Sequence, residues 1–267
     1  MIAPAPAKVN LALVVGPRRT DGKHEIATVY QRVDLGDRIT VEPAPQTTVD
    51  GFREDTIVRA ALAALAAPHG WRVRIEKHVP LAAGLGGGSS DAATALRLAN
   101  AQLVSPLGPV ELHAVAAGLG ADVPFFLADG PQLGTGDGTD LEPLDLPQDF
   151  VVLLLLPHDS AKRSTAEVYE RFDDSGGEAG WEERVARLRA TLAAVRRPRD
   201  LAVLPQNDLA HSPHREALLA HGAFRADVTG AGPALYGLFH RRADAARAAR
   251  ALKRLGRLWI TIPAWYG

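Results

Sequence analysis

The chain has 267 residues, 46% of them hydrophobic, enough for one large domain or two smaller ones with their own cores. Lys and Arg total 30 against 31 Asp and Glu, and the net charge of −1 offers no general field to hold a nucleic-acid backbone or an anionic membrane surface. With no cysteine, disulfides, thiolate metal sites and cysteine nucleophiles are excluded, which fits a reducing compartment.

The N-terminus carries Pro4 and Pro6 and reaches Lys8 before any apolar run, unlike a secretory signal, and the longest apolar run, residues 150–156, is too short to cross a bilayer. A cytoplasmic protein is expected. Val9, Leu11, Leu13 and Val15 alternate as one face of a strand, leaving Lys8 and Asn10 together on the other. A turn segment is expected over 16–24, then strands at 29–33 and 38–42 joined as a hairpin across Leu35, Gly36 and Asp37. Residues 55–67 show helical spacing behind an acidic first turn, through Ile57, Ala61, Leu62 and Leu65. Residues 71–79 alternate as a half-buried strand.

A glycine loop at 82–88 follows, and Ser89, Ser90 and Asp91 open a helix with Ala92, Leu96, Ala99 and Leu103 on one face. A further helix runs from Pro109 to the glycines at 118 and 120, with Asp122 directly after it. The Pro- and Asp-rich stretch 143–149 is the candidate junction between domains at 1–149 and 150–267. Residues 150–156 read as a strand buried on both faces. Ser164 to Glu167 form a capping box, 182–195 an amphipathic helix, 224–228 and 234–239 strands around a Gly-rich turn, 243–255 a helix and 259–262 a strand. The first third is mainly β and the second half α+β, with no internal repeat.

The strongest chemical signal is the run PLAAGLGGGSS from Pro80 through Gly84, Leu85, Gly86, Gly87 and Gly88 to Ser89 and Ser90. Positions without a Cβ let the backbone wrap an anion, and the serines bring hydroxyls to a helix N-terminus, which suits a triphosphate. The plainer alternative is a flexible loop with a serine cap. No Lys follows the glycines as in a Walker loop, and Ser89 stands where a dinucleotide fingerprint has its last glycine. The HRD and DFG motifs of protein kinases are absent.

This run resembles the second motif of the GHMP kinases, and its triple glycine is similar to the form in the 4-diphosphocytidyl-2-C-methyl-D-erythritol kinase family within that superfamily. Residues 5–11 (APAKVNL) and 229–233 (TGAGP) resemble the other two superfamily motifs; residues 19–24, 31–37, 120–125 and 207–209 resemble segments of the narrower family. The resemblance covers almost the whole chain in the right order. It implies a two-domain α+β fold, with a β-rich ATP-binding N-terminal domain, a C-terminal α/β-sandwich domain and the active site between them. It also implies transfer of the γ-phosphoryl group of ATP, with Mg²⁺, to the 2-hydroxyl of the methylerythritol unit.

On the same resemblance Asp122 accepts the hydroxyl proton while Lys8 orients it and stabilises charge on the moving phosphoryl group. Standing alone, an Asp after a helix is a turn residue and a strand Lys a surface charge. Asn10 is matched to a polyol contact, its alternative being a strand-edge amide in solvent. His24 is expected to read the cytosine edge and Tyr169 to cover the base or simply to pack, with Thr165 and Gly230 completing the substrate set. Where the family carries a stacking Tyr before the His, this chain has Lys23, which lacks an aromatic face but has a stem that can lie along a base. Arg18, Arg19, Lys162 and Arg163 are candidates for the substrate diphosphate or else solvated charges; the Mg²⁺ ligands stay unassigned.

The competing readings are another GHMP kinase, of homoserine or mevalonate type, which Lys23 favours, and a non-catalytic nucleotide-binding paralogue, which the presence of Lys8, Asp122 and the whole loop disfavours. An RNA-binding protein would need a basic stripe and an aromatic platform that are missing. The expected partner is a small molecule, with no nucleic acid and no membrane, and the chain is expected to be a monomer or weak homodimer.

Overall fold

The protein is described by a computed structural model over residues 1–52, 57–159 and 164–264. Strands β1 (Ile2–Arg18) and β2 (His24–Ala44) form a long antiparallel ribbon closed by a tight turn at 19–23, shorter than the expected 16–24 segment. Strands β3 (Thr48–Asp50), β4 (Gly70–Glu76), β5 (Gln132–Thr135) and β6 (Asp140–Pro143) extend it to six strands in the order β3-β4-β2-β5-β6, with β1 on β2. Helices α1 (Ile57–Ala64), α2 (Gly87–Asn100) and α3 (Pro109–Leu119) cover one face, burying Trp71, Ile75, Leu96 and Phe125 with their neighbours.

The second sheet, in the order β10-β7-β9-β8, is built from β7 (Val151–Pro157), β8 (Arg225–Val228), β9 (Leu235–Phe239) and β10 (Gly256–Thr261). Helices α4 (Thr165–Asp174) and α5 (Trp181–Ala194) follow β7, and α6 (His214–Ala220) and α7 (Arg242–Leu252) flank β8 and β9. The apolar run in β7 is buried on both faces because alternate residues enter different cores. Val152 and Leu154 join β1, β2 and α5, while Val151 and Leu153 face α6 and α7. In β9, Tyr236 and Leu238 divide from Leu235 and Phe239 in the same way.

The β1–β2 pairing shifts register three times, and the first two shifts position the site. Leu35, Gly36 and Asp37 do not make a hairpin: β2 runs straight through them, and the pairing jumps from Pro6 opposite Gly36 to Ala7 opposite Val33. The extra residues, Asp34 and Leu35, bond instead to the end of β10, Asp34 to Ile262 and Leu35 to the Thr261 hydroxyl, so the bulge is where the sheets join. A second shift, between Asn10 and Ala12, reverses the faces of the residues from Ala12 to Val15. Ala12 and Val14 therefore continue the core face of Val9 and Leu11, whereas Leu13 and Val15 turn to the side of Ile26 and Phe172.

Arg225, 4% exposed, ties the halves together. Its guanidinium donates to the carbonyl of Leu11 at 2.6 Å, to those of Leu204 and Pro205 at 2.8 Å, and to the hydroxyl of Tyr236 at 2.9 Å, with Asp227 3.4 Å away. Other expected elements shift by a few residues. α1 begins its described part at Ile57, Asp55 lies outside the described residues, and β4 stops at Glu76, short of the expected end at 79.

Candidate active site

The site is assembled on Lys8 and Asn10, adjacent outward positions of β1. Because β1 is covered on both faces, Lys8 is only 3% and Asn10 4% exposed. The Lys8 ammonium donates to Asn10 Oδ1 at 2.6 Å and lies 3.3 Å from Asp122 Oδ2. Asp122, about one-third exposed, is fixed by the α3 terminus on one side and by the 3-10 turn Pro124–Phe126 on the other, where Phe125 is fully buried. Asn10 Nδ2 donates to Thr28 Oγ1 at 2.7 Å, and the Thr229 hydroxyl donates to Asn10 Oδ1 at 3.2 Å while accepting the Asn10 N–H at 3.0 Å. Its amide is thus neither in solvent nor free.

The glycine loop folds over this pair. The Lys8 N–H donates to the Leu85 carbonyl at 2.9 Å, and a Cβ at Gly86, φ +69°, would lie 3.0 Å from Lys8 Cγ and Phe126 Cζ. At Gly84, φ +80°, a Cβ would fall 2.3 Å from the Thr229 carbonyl, so the two glycine-bearing loops pack back to back only if that position is bare. Gly230, φ +57°, is held by Asn207, whose Nδ2 donates to its carbonyl at 2.7 Å and to that of Val228 at 3.0 Å.

Ser89 and Ser90 do not cap α2: Gly86 occupies that position, the helix begins at Gly87, and the serines fall inside its first turn. Ser90 is fully buried, with its hydroxyl unpartnered. Beneath this turn the Lys77 ammonium bridges Asp37 at 2.6 Å and Asp91 at 2.8 Å, and Asp37 accepts the N–H of Val79 at 2.8 Å. Burial pushes the Asp91 carboxyl up to about 8 despite Lys77, with the Asp37 charge adding to it. Burial would lower Lys77, but Asp91 and Asp37 outweigh it and raise it.

These groups open onto a cleft of ≈ 470 Å³. Of the expected nucleotide contacts, Gly84, Gly86 and Ser89 line it; Leu85 and Ser90 are buried behind it, and Pro80, Gly87 and Gly88 stand outside its lining. Lys8, Asn10, Asp122, Gly230, Thr165 and Tyr169 all line it. Thr165 opens α4, whose capping box is complete: the Ser164 N–H donates to Glu167 at 2.8 Å and the Glu167 N–H to Ser164 Oγ at 3.2 Å.

His24 and Lys23 differ from expectation. His24 is 7% exposed and outside the lining; its Nε2, on a ring expected to read the cytosine edge, bonds Asp173 Oδ1 at 2.7 Å, and the ring stacks on Tyr169 at 4.8 Å. The Lys23 ammonium is taken by Asp137, a cleft residue. Arg18 and Arg19 bond within their own turn and to Glu25, outside the lining, while Lys162 and Arg163 lie outside the described residues.

Sequence reasoning missed Tyr30 and Asp137. Tyr30, 1% exposed, stacks on Phe125 at 4.8 Å beneath the Lys8 ammonium, 5.6 Å from its ring centre. Burial, and next the negative charge of Asp122, push its hydroxyl well above its ordinary value. Burial and then Asp122 likewise push Tyr169 up to about 12. Period-2 reading placed Tyr30 in a strand but not beside Asp122.

The GHMP kinases N terminal domain model matches residues 55–130 and the GHMP kinases C terminal model residues 214–258. The chain is 34% identical to a 4-diphosphocytidyl-2-C-methyl-D-erythritol kinase of Prosthecochloris aestuarii, over 96% of this chain and 94% of that one. It superposes on a crystal structure of 4-(cytidine 5'-diphospho)-2C-methyl-D-erythritol kinase with a TM-score of 0.75 and 34% identity, covering 99% and 100% of the two chains. A mevalonate kinase shares the fold, with a TM-score of 0.77 at 12% identity over 98% and 99% of the chains.

Proposed function

Because the chain belongs to the 4-diphosphocytidyl-2-C-methyl-D-erythritol kinase family of the GHMP kinases, we propose that this cleft transfers the γ-phosphoryl group of ATP to the 2-hydroxyl of 4-diphosphocytidyl-2-C-methyl-D-erythritol, a step of isoprenoid precursor synthesis. The observation that carries the reading is the Lys8–Asp122 pair at 3.3 Å under a loop of bare backbone.

In the proposed roles, Asp122 Oδ accepts the proton of the attacking hydroxyl. Phosphoryl transfer asks the protein mainly for position and charge neutralisation, and Lys8 supplies both: it fixes Asp122 and places a buried ammonium where negative charge gathers on the γ-phosphate. Asn10 sets the direction of that ammonium through its 2.6 Å bond and is itself fixed by Thr28 and Thr229. Gly84, Gly86 and Ser89 cradle the triphosphate at the start of α2, where backbone N–H groups favour an anion. Thr165, Tyr169 and Gly230 bound the side taken by the cytidyl substrate.

Among the described residues no cluster of three or more His, Asp or Glu side chains could hold a metal. Mg²⁺ would arrive on the triphosphate, since this ion keeps waters and takes few protein groups, and Ser89, in the cleft lining, would offer it a hydroxyl. When bound it neutralises charge on the phosphates. The junction between domains is taken at 143–149, between the last strand of one sheet and the first of the other. We read the enzyme as cytoplasmic and as a monomer or weak homodimer acting on a small molecule; no described helix is long and apolar enough to cross a membrane.

The test is ADP release with Mg-ATP and, in turn, the cytidyl-methylerythritol, its uridine analogue, homoserine and mevalonate. The cytidyl compound should be turned over with clear preference. Preferential turnover of homoserine or mevalonate would replace the substrate, and ATP binding without turnover of any of them would favour a non-catalytic role.

A further inference from the structure

Thr28 and Tyr30 stand two apart on β2, and Tyr30 pairs directly with Asn10 across the β1–β2 ladder, so both side chains share the face that carries Asn10. Thr28 holds Asn10. Tyr30 reaches the Lys8–Asp122 pair: the Lys8 ammonium lies 5.6 Å from its ring centre, and its hydroxyl is within hydrogen-bonding reach of the Asp122 carboxylate. One side chain therefore meets both charges, the cation with its π face and the anion with its O–H.

The place of the ring is set by its surroundings. It stacks at 4.8 Å on Phe125, in the turn that follows Asp122, and two bare positions of the β5–β6 hairpin make room for it. A Cβ at Gly134 would fall 2.5 Å from Tyr30 Cε2, and one at Gly138 would fall 2.8 Å from the hydroxyl oxygen. A Phe would satisfy the same packing, so the stack and the hairpin do not account for the oxygen. A phenol on a side chain this deeply buried, 1% exposed, needs a partner for its O–H. Asp137, the other carboxylate in the cleft lining, is engaged by Lys23 and Thr139. Tyr169 and Asp137 also bear on the Tyr30 hydroxyl, but less than Asp122 does. Burial, and next the charge of Asp122, keep the phenol protonated and so a donor.

Lys8 meets Asp122 at one oxygen, Oδ2, and a carboxylate held at one point can still turn about it. A donor from a second strand removes that freedom. Resting on the phosphoryl transfer proposed above, we infer that Tyr30 is a positioning residue of the reaction: its hydroxyl donates to Asp122 and, together with Lys8, fixes the direction in which the carboxylate meets the attacking hydroxyl. β2 thereby holds both neighbours of the Lys8 ammonium, Asn10 through Thr28 and Asp122 through Tyr30.

The experiment is a double-mutant cycle of Tyr30→Phe and Asp122→Asn, read as kcat and KM with Mg-ATP and the cytidyl substrate. Phe keeps the ring beside Lys8 and Phe125 and removes only the O–H. Tyr30→Phe alone should lower kcat roughly tenfold or more, with KM for ATP within about twofold of wild type. In the Asp122→Asn background the same change should cost less than about twofold, because the group it positions has gone. An undiminished kcat in Tyr30→Phe, or an equal loss in both backgrounds, would overturn the inference. Carbon NMR of protein labelled at tyrosine Cζ gives a readout that needs no turnover, since the chain has four tyrosines and the Tyr30 signal is the one missing from Tyr30→Phe. That signal should move in Asp122→Asn with no substrate present, and an unmoved signal would refute the contact. A moved signal in a protein that does not phosphorylate the cytidyl substrate would count against the proposed function alone.

Discussion

The ammonium of Lys8 and the carboxylate of Asp122 lie 3.3 Å apart although 114 residues separate them, and the lysine is nearly buried while the aspartate keeps about a third of its side chain open. The asymmetry suits their proposed roles: the charge is kept out of bulk water and the proton acceptor reaches the substrate.

Asp122→Asn retains the shape of the side chain and removes the base. Turnover should fall by roughly 10² or more with the thermal transition little changed. Single-turnover rates within about threefold of wild type would remove Asp122 from the proton-accepting role.

Gly84→Ala would place a methyl 2.3 Å from the Thr229 carbonyl at a backbone angle that disfavours L side chains. The two loops have to separate, with a loss of roughly 1–3 kcal/mol in denaturant unfolding and a raised KM for ATP. A variant equal to wild type in both would show that the loops need not touch.

Arg225→Met leaves Asp227 buried without its cation and takes the guanidinium from the carbonyls of Leu11, Leu204 and Pro205, of which Leu11 keeps the Tyr236 hydroxyl at 3.1 Å. The expected cost is about 3–5 kcal/mol, measured by urea unfolding. Since Asp227 is the source of much of this, the double variant with Asp227→Asn should recover part of it. No recovery would place the loss in the carbonyl bonds.

Asp91, raised by burial to about 8 from an ordinary carboxyl value of 3.8, binds its proton more tightly folded than unfolded. Its contribution is therefore greatest at low pH and is lost as pH rises from about 4 towards 8, with a slope of at most ~1.4 kcal/mol per pH unit. Asp91→Asn should flatten that part of the stability profile; an unchanged slope would assign it to other groups.

The parts of the fold written locally were legible. The capping box of α4, the Pro109 start of α3 and the doubly buried β7 each depend on a few neighbouring residues, and each formed at its expected place. The bulges after Asn10 and within 33–36 were not, because alternation assumes one residue per pairing position and the extra residues are chosen by the opposite sheet. Lys8, Asn10 and Asp122 were found through motif resemblance, and the cleft does collect them. Tyr30 and Asp137 carry no motif: their importance lies in what packs over them, and the partner of Asp137 is 114 positions away. The Asp173 that occupies the His24 edge sits on α4, so a reading of residues 19–24 alone could not reveal it.

The bond from Arg225 to Leu11 also bears on the order of assembly. The first strand emerges from the ribosome long before its last clamp is synthesised, since Arg225 lies 214 positions after Leu11. Until Arg225 and Asn207 arrive, the middle of β1 has one covered face and one waiting face, so a nascent chain stalled before residue 200 should hold its glycine loop without the Thr229 backing that shapes it. The anion cradle is therefore completed by residues 207–229, and nucleotide binding during synthesis should appear only after these have been translated.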